Sequence, residues 1–232
     1  MPIYRLIDKP IFPPPELAEP DGLLAVGGDL TPERLLEAYR MGIFPWYSEN
    51  DPILWWSPSP RLILEPNSIH ISKSLRKVIR RHRFEVRIDT AFADVVKNCA
   101  VVTRKEGKGT WISSDIRKAY KRLFGLGFAH SFETWRDGKL VGGLYGISLG
   151  KCFFGESMFA KESNASKIAL VALSNILEDW GFDLIDCQVT TPHLMSMGAF
   201  EIDRNEFLHR LRLGLQSPTR RGSWQDAVWN VE

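Results

Sequence analysis

The sequence predicts an α+β fold, with a small N-terminal unit over residues 1–62 and a larger unit over residues 63–232. Three observations lead there. At 232 residues and 44 % hydrophobic content, the chain is able to bury an ordinary core. Its strand-like and helix-like stretches are segregated, a meander being followed by a helix, a strand and a last helix. Composition also shifts near Arg61, where a Pro- and Trp-rich stretch gives way to longer periodic segments.

In the small unit, Thr31 caps a helix with Pro32 at its first position, apolar Leu35, Leu36 and Tyr39 at helical spacing, and Gly42 as its stop. The stretch "GIFPWYSENDPILWWSPSPR" follows. Pro45, Pro52, Pro58 and Pro60 fix φ and remove backbone donors, so it reads as loop and short extended pieces carrying Trp46, Trp55 and Trp56. Adjacent in an extended piece, Trp55 and Trp56 point apart, and one of them is expected to pack the small unit against the larger.

The larger unit opens with "SKSLRKVIRRHRF", in which Leu75, Val78, Ile79 and His82 recur on one helical face. The other face carries Lys73, Arg76, Lys77, Arg80, Arg81 and Arg83 with no acid among them, a pattern that suits phosphate contact. "RFEVRIDTAF" alternates as a strand. "SSDIRKAYKRLFGLG" is a capped helix burying Ile116, Ala119, Tyr120, Leu123 and Phe124. "HSFETWRDGKLVGGLYGISLGKCFFGESMF" is a meander turning at Asp137-Gly138 and Leu149-Gly150. A helix from about Ala165 to Trp180, capped by Asn164 and halted by Gly181, precedes the strand "DLIDCQVT" and a helix near Arg204 to Leu213. The tail "SPTRRGSWQDAVWNVE" reads as loosely packed and held by Trp224 and Trp229.

Net charge is +2, so any nucleic-acid surface must be local. Cys99, Cys152 and Cys187 are odd in number and lack CxxC spacing, which fits free thiols in a reducing cytoplasm, and no zinc pattern is present. The N-terminus does not have the layout of a signal peptide, and no run of about 18 apolar residues suggests a membrane span.

The element order resembles the GNAT-like acyltransferase fold of the acetyl-CoA-dependent N-acetyltransferases. "RKEGKG", Arg104 to Gly109, matches the glycine-rich loop that holds CoA there, yet it precedes the meander, and "FAKESNASK", at the corresponding place, has no glycine. The expectation is an acyltransferase scaffold whose donor is not CoA. A CoA-dependent N-acetyltransferase and a non-catalytic RNA-binding protein are the alternatives.

"GLLAVGGDLTPERLLEAYRMGIFPWYS", "PILWWSPSPR", "GTWI", "FGESMF", "NASK" and "LIDCQV" resemble the leucyl/phenylalanyl-tRNA–protein transferases, over about Pro15 to Ile202. That resemblance implies transfer of Leu or Phe from charged tRNA to the N-terminal amine of proteins starting with Lys or Arg, tagging them for degradation. It implies Leu-tRNA, Phe-tRNA and acceptor proteins with N-terminal Lys or Arg as partners, a monomer with no membrane partner, and no cofactor.

An aminoacyl ester is already activated, so the protein need only hold ester and amine together, move a proton and stabilise an oxyanion, with no metal or nucleophilic residue. A period of two puts Asp186 and Gln188 on one strand face and Ile185 and Cys187 on the other. Asp186 is expected to orient the amine, Gln188 to assist it, and Glu156 to reach the same cleft; the resemblance implies the same three residues. It further implies an apolar aminoacyl pocket of Leu144, Phe153, Met158, Leu170, Leu173 and Ile185, and stacking of the tRNA 3′ adenosine on Trp46, Trp111 and Tyr120. The basic helix is left for tRNA phosphates.

Overall fold

The computed structural model describes residues 3–48, 51–101 and 112–229. It contains two sheets. The smaller one, in the order β1-β2-β4-β3, comprises β1 (Tyr4–Leu6), β2 (Leu23–Gly27), β3 (Phe44–Pro45) and β4 (Leu54–Trp56), with α1 (Pro32–Arg40) between β2 and β3. Thr31 Oγ1 accepts from the Arg34 amide at the start of α1. At its end Gly42 has φ +72°, and a Cβ there would come within 2.8 Å of Phe207 and Leu208, so the turn and the close approach both require glycine.

The larger sheet has seven strands in the order β11-β5-β10-β9-β8-β7-β6. Along the chain these are β5 (Arg61–Leu64), β6 (Glu85–Ile88), β7 (Ala129–Arg136), β8 (Lys139–Leu149), β9 (Cys152–Ala160), β10 (Leu184–Gln188) and β11 (Phe200–Ile202). The helices are α2 (Lys73–Ile79), α3 (Phe92–Val101), α4 (Ser114–Gly125), α5 (Ala165–Asp179), the short α6 (Pro192–Met195) and α7 (Arg204–Gly214). The expected meander is β7–β8–β9, followed by α5 and by β10, which runs parallel to β9. The chain is α+β, as its pattern predicts.

Successive strand residues enter two separate cores, as a pleat with period two requires. Leu144, Phe153, Ile185, Leu62 and Leu64 join α5 and Leu75 and Ile79 of α2, whereas Tyr145, Phe154, Leu184 and Ile63 join α1, α3, α4 and α7. Among the described residues no helix is long and apolar enough to cross a membrane.

Several local expectations are corrected. The basic helix stops at Ile79, and His82 is exposed at φ +47°, off the buried face. Asn164 has φ +71° and its side chain makes no cap. Helix α3 has no counterpart in the expected elements; the amides of Thr90 and Ala91, just ahead of its first residue, bond to the buried carboxylate of Glu133 on β7. The tail is anchored: Trp224 is 3 % exposed, stacks on His130 at 3.6 Å, and donates its amide to Asp89. Trp55 is buried, but its ring contact with Phe12 and its hydrogen bond to Gly27 both lie inside the small unit, so these contacts do not make it a clamp.

Candidate active site

A cavity of about 580 Å³ opens between the two units, where α5 and β10 face the loop after α1. Its apolar wall is Leu144 and Met158 from β8 and β9, Leu170 and Leu173 from α5, and Ile185 from β10. These are five of the six side chains expected for an aminoacyl pocket. Phe153 is not among the lining residues; it is fully buried further along β9, its ring centroid 6.2 Å from that of Trp224 beneath the tail. Phe44, Pro45 and Trp46 form the opposite rim.

The polar end is built by β9 and β10. Regular pairing of β10 with β5 breaks between Asp186 and Gln188, and Gln188 takes φ +63°, a conformation that costs a non-glycine residue free energy unless its surroundings impose it. Asp186 Oδ1 accepts the Gln188 amide at 2.9 Å and so holds the bulge. The side chain of Gln188 then turns to Glu156, Nε2 donating to Oε1 at 3.1 Å.

The expected shared face of Asp186 and Gln188 is therefore corrected. Ile185, Cys187 and Gln188 line the cavity, whereas Asp186 does not. Its carboxylate is fully buried in a two-point pair with Arg61, Nε to Oδ1 at 2.8 Å and Nη2 to Oδ2 at 2.6 Å, leaving no oxygen turned to a substrate amine. Arg61 is in turn held between the rings of Phe44 and Phe207, at 4.8 and 4.4 Å. Asp186 reaches the cavity only through the Gln188 amide that it holds. Cys187 faces the cavity after all, but burial, with the Asp186 charge behind it, pushes its thiol well up, so it offers no thiolate nucleophile.

Glu156 lies at the cavity floor, 8 % exposed. Its Oε1 accepts from Tyr39 at 2.7 Å and its Oε2 from Tyr120 at 2.6 Å. Burial raises its pKa to about 7, although the tyrosine and Gln188 donors pull the other way. Tyr120 cannot stack on an adenine in this arrangement. Its ring is fully buried, edge-on to Tyr145 at 5.5 Å, and only its hydroxyl is turned towards the site.

Two residues of the site escape the sequence reading. Tyr39 sits on the apolar stripe of α1, so its spacing signals core and hides its hydroxyl. Arg61 did leave a signal: an arginine opening the buried strand "RLIL" needs a partner.

Trp46 is 44 % exposed on the rim, and Trp56 supports it, with ring centroids 5.7 Å apart and its Nε1 donating to the Trp46 carbonyl at 2.7 Å. Trp111 and the stretch Arg104 to Gly109 lie outside the described residues. Lys73, Arg76, Lys77, Arg80, Arg81 and Arg83 are all exposed, and none pairs with a described acid.

This geometry can be set beside known proteins. The family model described as "Leucyl/phenylalanyl-tRNA protein transferase" matches residues 63–212, and that of its N-terminal domain matches residues 28–59. A "Leucyl/phenylalanyl-tRNA--protein transferase" of Desulfatibacillum aliphaticivorans is 60 % identical over 224 residues, covering 97 % of this chain and 96 % of its own. The protein of the same name from Azoarcus sp. (strain BH72) is 63 % identical over 204 residues, covering 87 % of this chain and 86 % of its own. With both units matched and relatives this similar along nearly their whole length, the chain belongs to the leucyl/phenylalanyl-tRNA–protein transferase family.

Proposed function

We propose that this protein is an aminoacyltransferase that moves leucine or phenylalanine from the 3′ end of charged tRNA to the N-terminal amine of proteins beginning with Lys or Arg, in the cytoplasm. One observation carries the reading: a single cavity has an exposed tryptophan on its rim, apolar walls of aliphatic side chains, and a buried amide–carboxyl pair at its floor. The residue 1–62 unit supplies Trp46 for the terminal adenine, and the residue 63–232 unit supplies the acyl pocket. Leu144, Met158, Leu170, Leu173 and Ile185 receive the donor side chain, whose charged competitors would lose hydration there without gaining a partner.

Gln188 holds the amine. Because its Nε2 faces Glu156, its Oε1 is the atom left to accept a hydrogen bond from the attacking nitrogen. A terminal amine has a pKa of about 7.7–8.0, so a usable neutral fraction is present near pH 7 without a strong base. Direct attack of the amine on the ester suits this site, where burial disfavours the thiolate form of Cys187.

Labelled Leu-tRNA, or labelled acetyl-CoA, supplied with a peptide starting in Arg tests the reading. Label should enter the peptide from the tRNA alone and be abolished by ribonuclease; entry from acetyl-CoA would overturn it. The basic surface of α2 and the turn after it takes tRNA phosphates. Replacing Arg76, Arg80 and Arg81 together by alanine is expected to lower the slope of log affinity against log salt by about 2–3, read from tRNA binding at several ionic strengths. An unchanged slope would remove phosphate contact from this surface.

A further inference from the structure

Tyr39, Tyr120 and Glu156 close a ring of short oxygen–oxygen contacts. Tyr39 Oη lies 2.7 Å from Glu156 Oε1, Tyr120 Oη lies 2.6 Å from Oε2, and the two hydroxyl oxygens are 2.5 Å apart. Contacts of this length each need a proton between the oxygens. The two phenols bring two protons. A third must come from Glu156, or else the two hydroxyl oxygens face each other with lone pairs alone.

We infer that Glu156 faces the cavity as a neutral carboxylic acid whose proton is shared around a ring with Tyr39 and Tyr120, and that Tyr39 is the positioning residue through which the N-terminal unit keeps it so. In that ring the Tyr120 contact runs opposite to its direction with a carboxylate: Glu156 Oε2 donates to Tyr120, Tyr120 to Tyr39, and Tyr39 to Glu156 Oε1, so each of the three residues donates once and accepts once around the ring.

The surroundings favour the neutral form. Both phenols are fully buried, and burial pushes their own pKa values well up, so they stay protonated. Tyr145 from β8 packs edge-on to Tyr120, Gln188 from β10 donates to Glu156, and the Asp186 charge on β10, paired with Arg61 from β5, acts on the ring from behind. Arg61 is closed on Asp186, while the Asp186 charge disfavours a second carboxylate beside it.

The use of the acid rests on the transfer reaction proposed above. As the amine nitrogen bonds to the ester carbon, the carbonyl π pair moves to its oxygen. On collapse the C–O3′ bond breaks and its electron pair leaves on O3′. Glu156 gives its proton to O3′, and the ring takes up the proton that nitrogen sheds, so it begins and ends with three.

Difference infrared spectroscopy of the whole protein tests the acid independently of transfer, following the carboxyl C=O band that is lost in Glu156→Gln. The band is expected at neutral pH in the wild type and should titrate away as pH rises. Tyr39→Phe should move that midpoint down by about one pH unit, because the neutral acid loses two contacts of the ring and the carboxylate only one. Tyr120→Phe should move it the same way, and the alkaline fall in transfer rate should follow. No carboxyl band at neutral pH would overturn the inference. So would a midpoint that stays or rises without a phenol, as expected if the phenols merely donate to a carboxylate. Should the band behave as expected while no leucine is transferred, the ring stands and the proposed function fails.

Discussion

Replacing Arg61 with methionine is expected to cost this protein about 3–5 kcal/mol of folding stability, measured by urea unfolding. The substitution leaves the Asp186 carboxylate fully buried with only the Gln188 amide for a partner. An uncompensated buried charge is far more costly than the pair was stabilising, because removing both charges returns most of the loss. The double variant Arg61→Met with Asp186→Leu should therefore recover at least half the stability, and the cycle of single and double variants should show strong coupling. Activity should not recover. Without Asp186 Oδ1 nothing holds the Gln188 amide, and the left-handed bulge at the cavity loses its anchor. A single Arg61 variant destabilised by less than about 1 kcal/mol would show that the pair does not carry this part of the fold.

The second large effect belongs to Gln188. Gln188→Asn keeps the amide and tolerates the positive φ at this position, but it is one methylene too short to keep the 3.1 Å contact with Glu156. Misplacement on the scale of an ångström costs roughly 100-fold in rate when a group positions a reacting atom. The expected result is a fall of about that size in kcat, with the KM for aminoacyl-tRNA nearly unchanged, since the acyl pocket and Trp46 are untouched. If KM rises and kcat holds, Gln188 binds the donor rather than presenting the amine.

What was legible in the sequence divides along a physical line. Helices whose caps lie next to them in the chain could be read: Thr31 starts α1 and Ser113 starts α4. Helix α3 could not, because the chain entering it is held by Glu133, which accepts the Thr90 and Ala91 amides from more than forty residues away on a neighbouring strand. Of the six apolar residues that the resemblance implied, five line the cavity and Phe153 does not, since nothing local reveals that the C-terminal Trp224 covers that part of the sheet. Period two assigned Ile185 correctly and failed at Gln188, where a bulge held by a buried ion pair reverses the alternation. Tyr39 and Tyr120 read as core at helical spacing, which is right for both rings and silent about where their hydroxyls go. The family resemblance thus supplied the apolar walls of the cavity, and long-range partners decided its polar floor.

Whether this cavity takes the aminoacyl-adenosine end of tRNA is most directly tested by calorimetric binding of an amide-linked leucyl-adenosine to the wild type, Leu173→Trp and Trp46→Ala. The wild type should bind it. Leu173→Trp fills the acyl pocket and should abolish binding, while Trp46→Ala should weaken it by about 1–3 kcal/mol, the worth of one stacked base. Wild-type affinity in both variants would place the donor elsewhere and contradict the site.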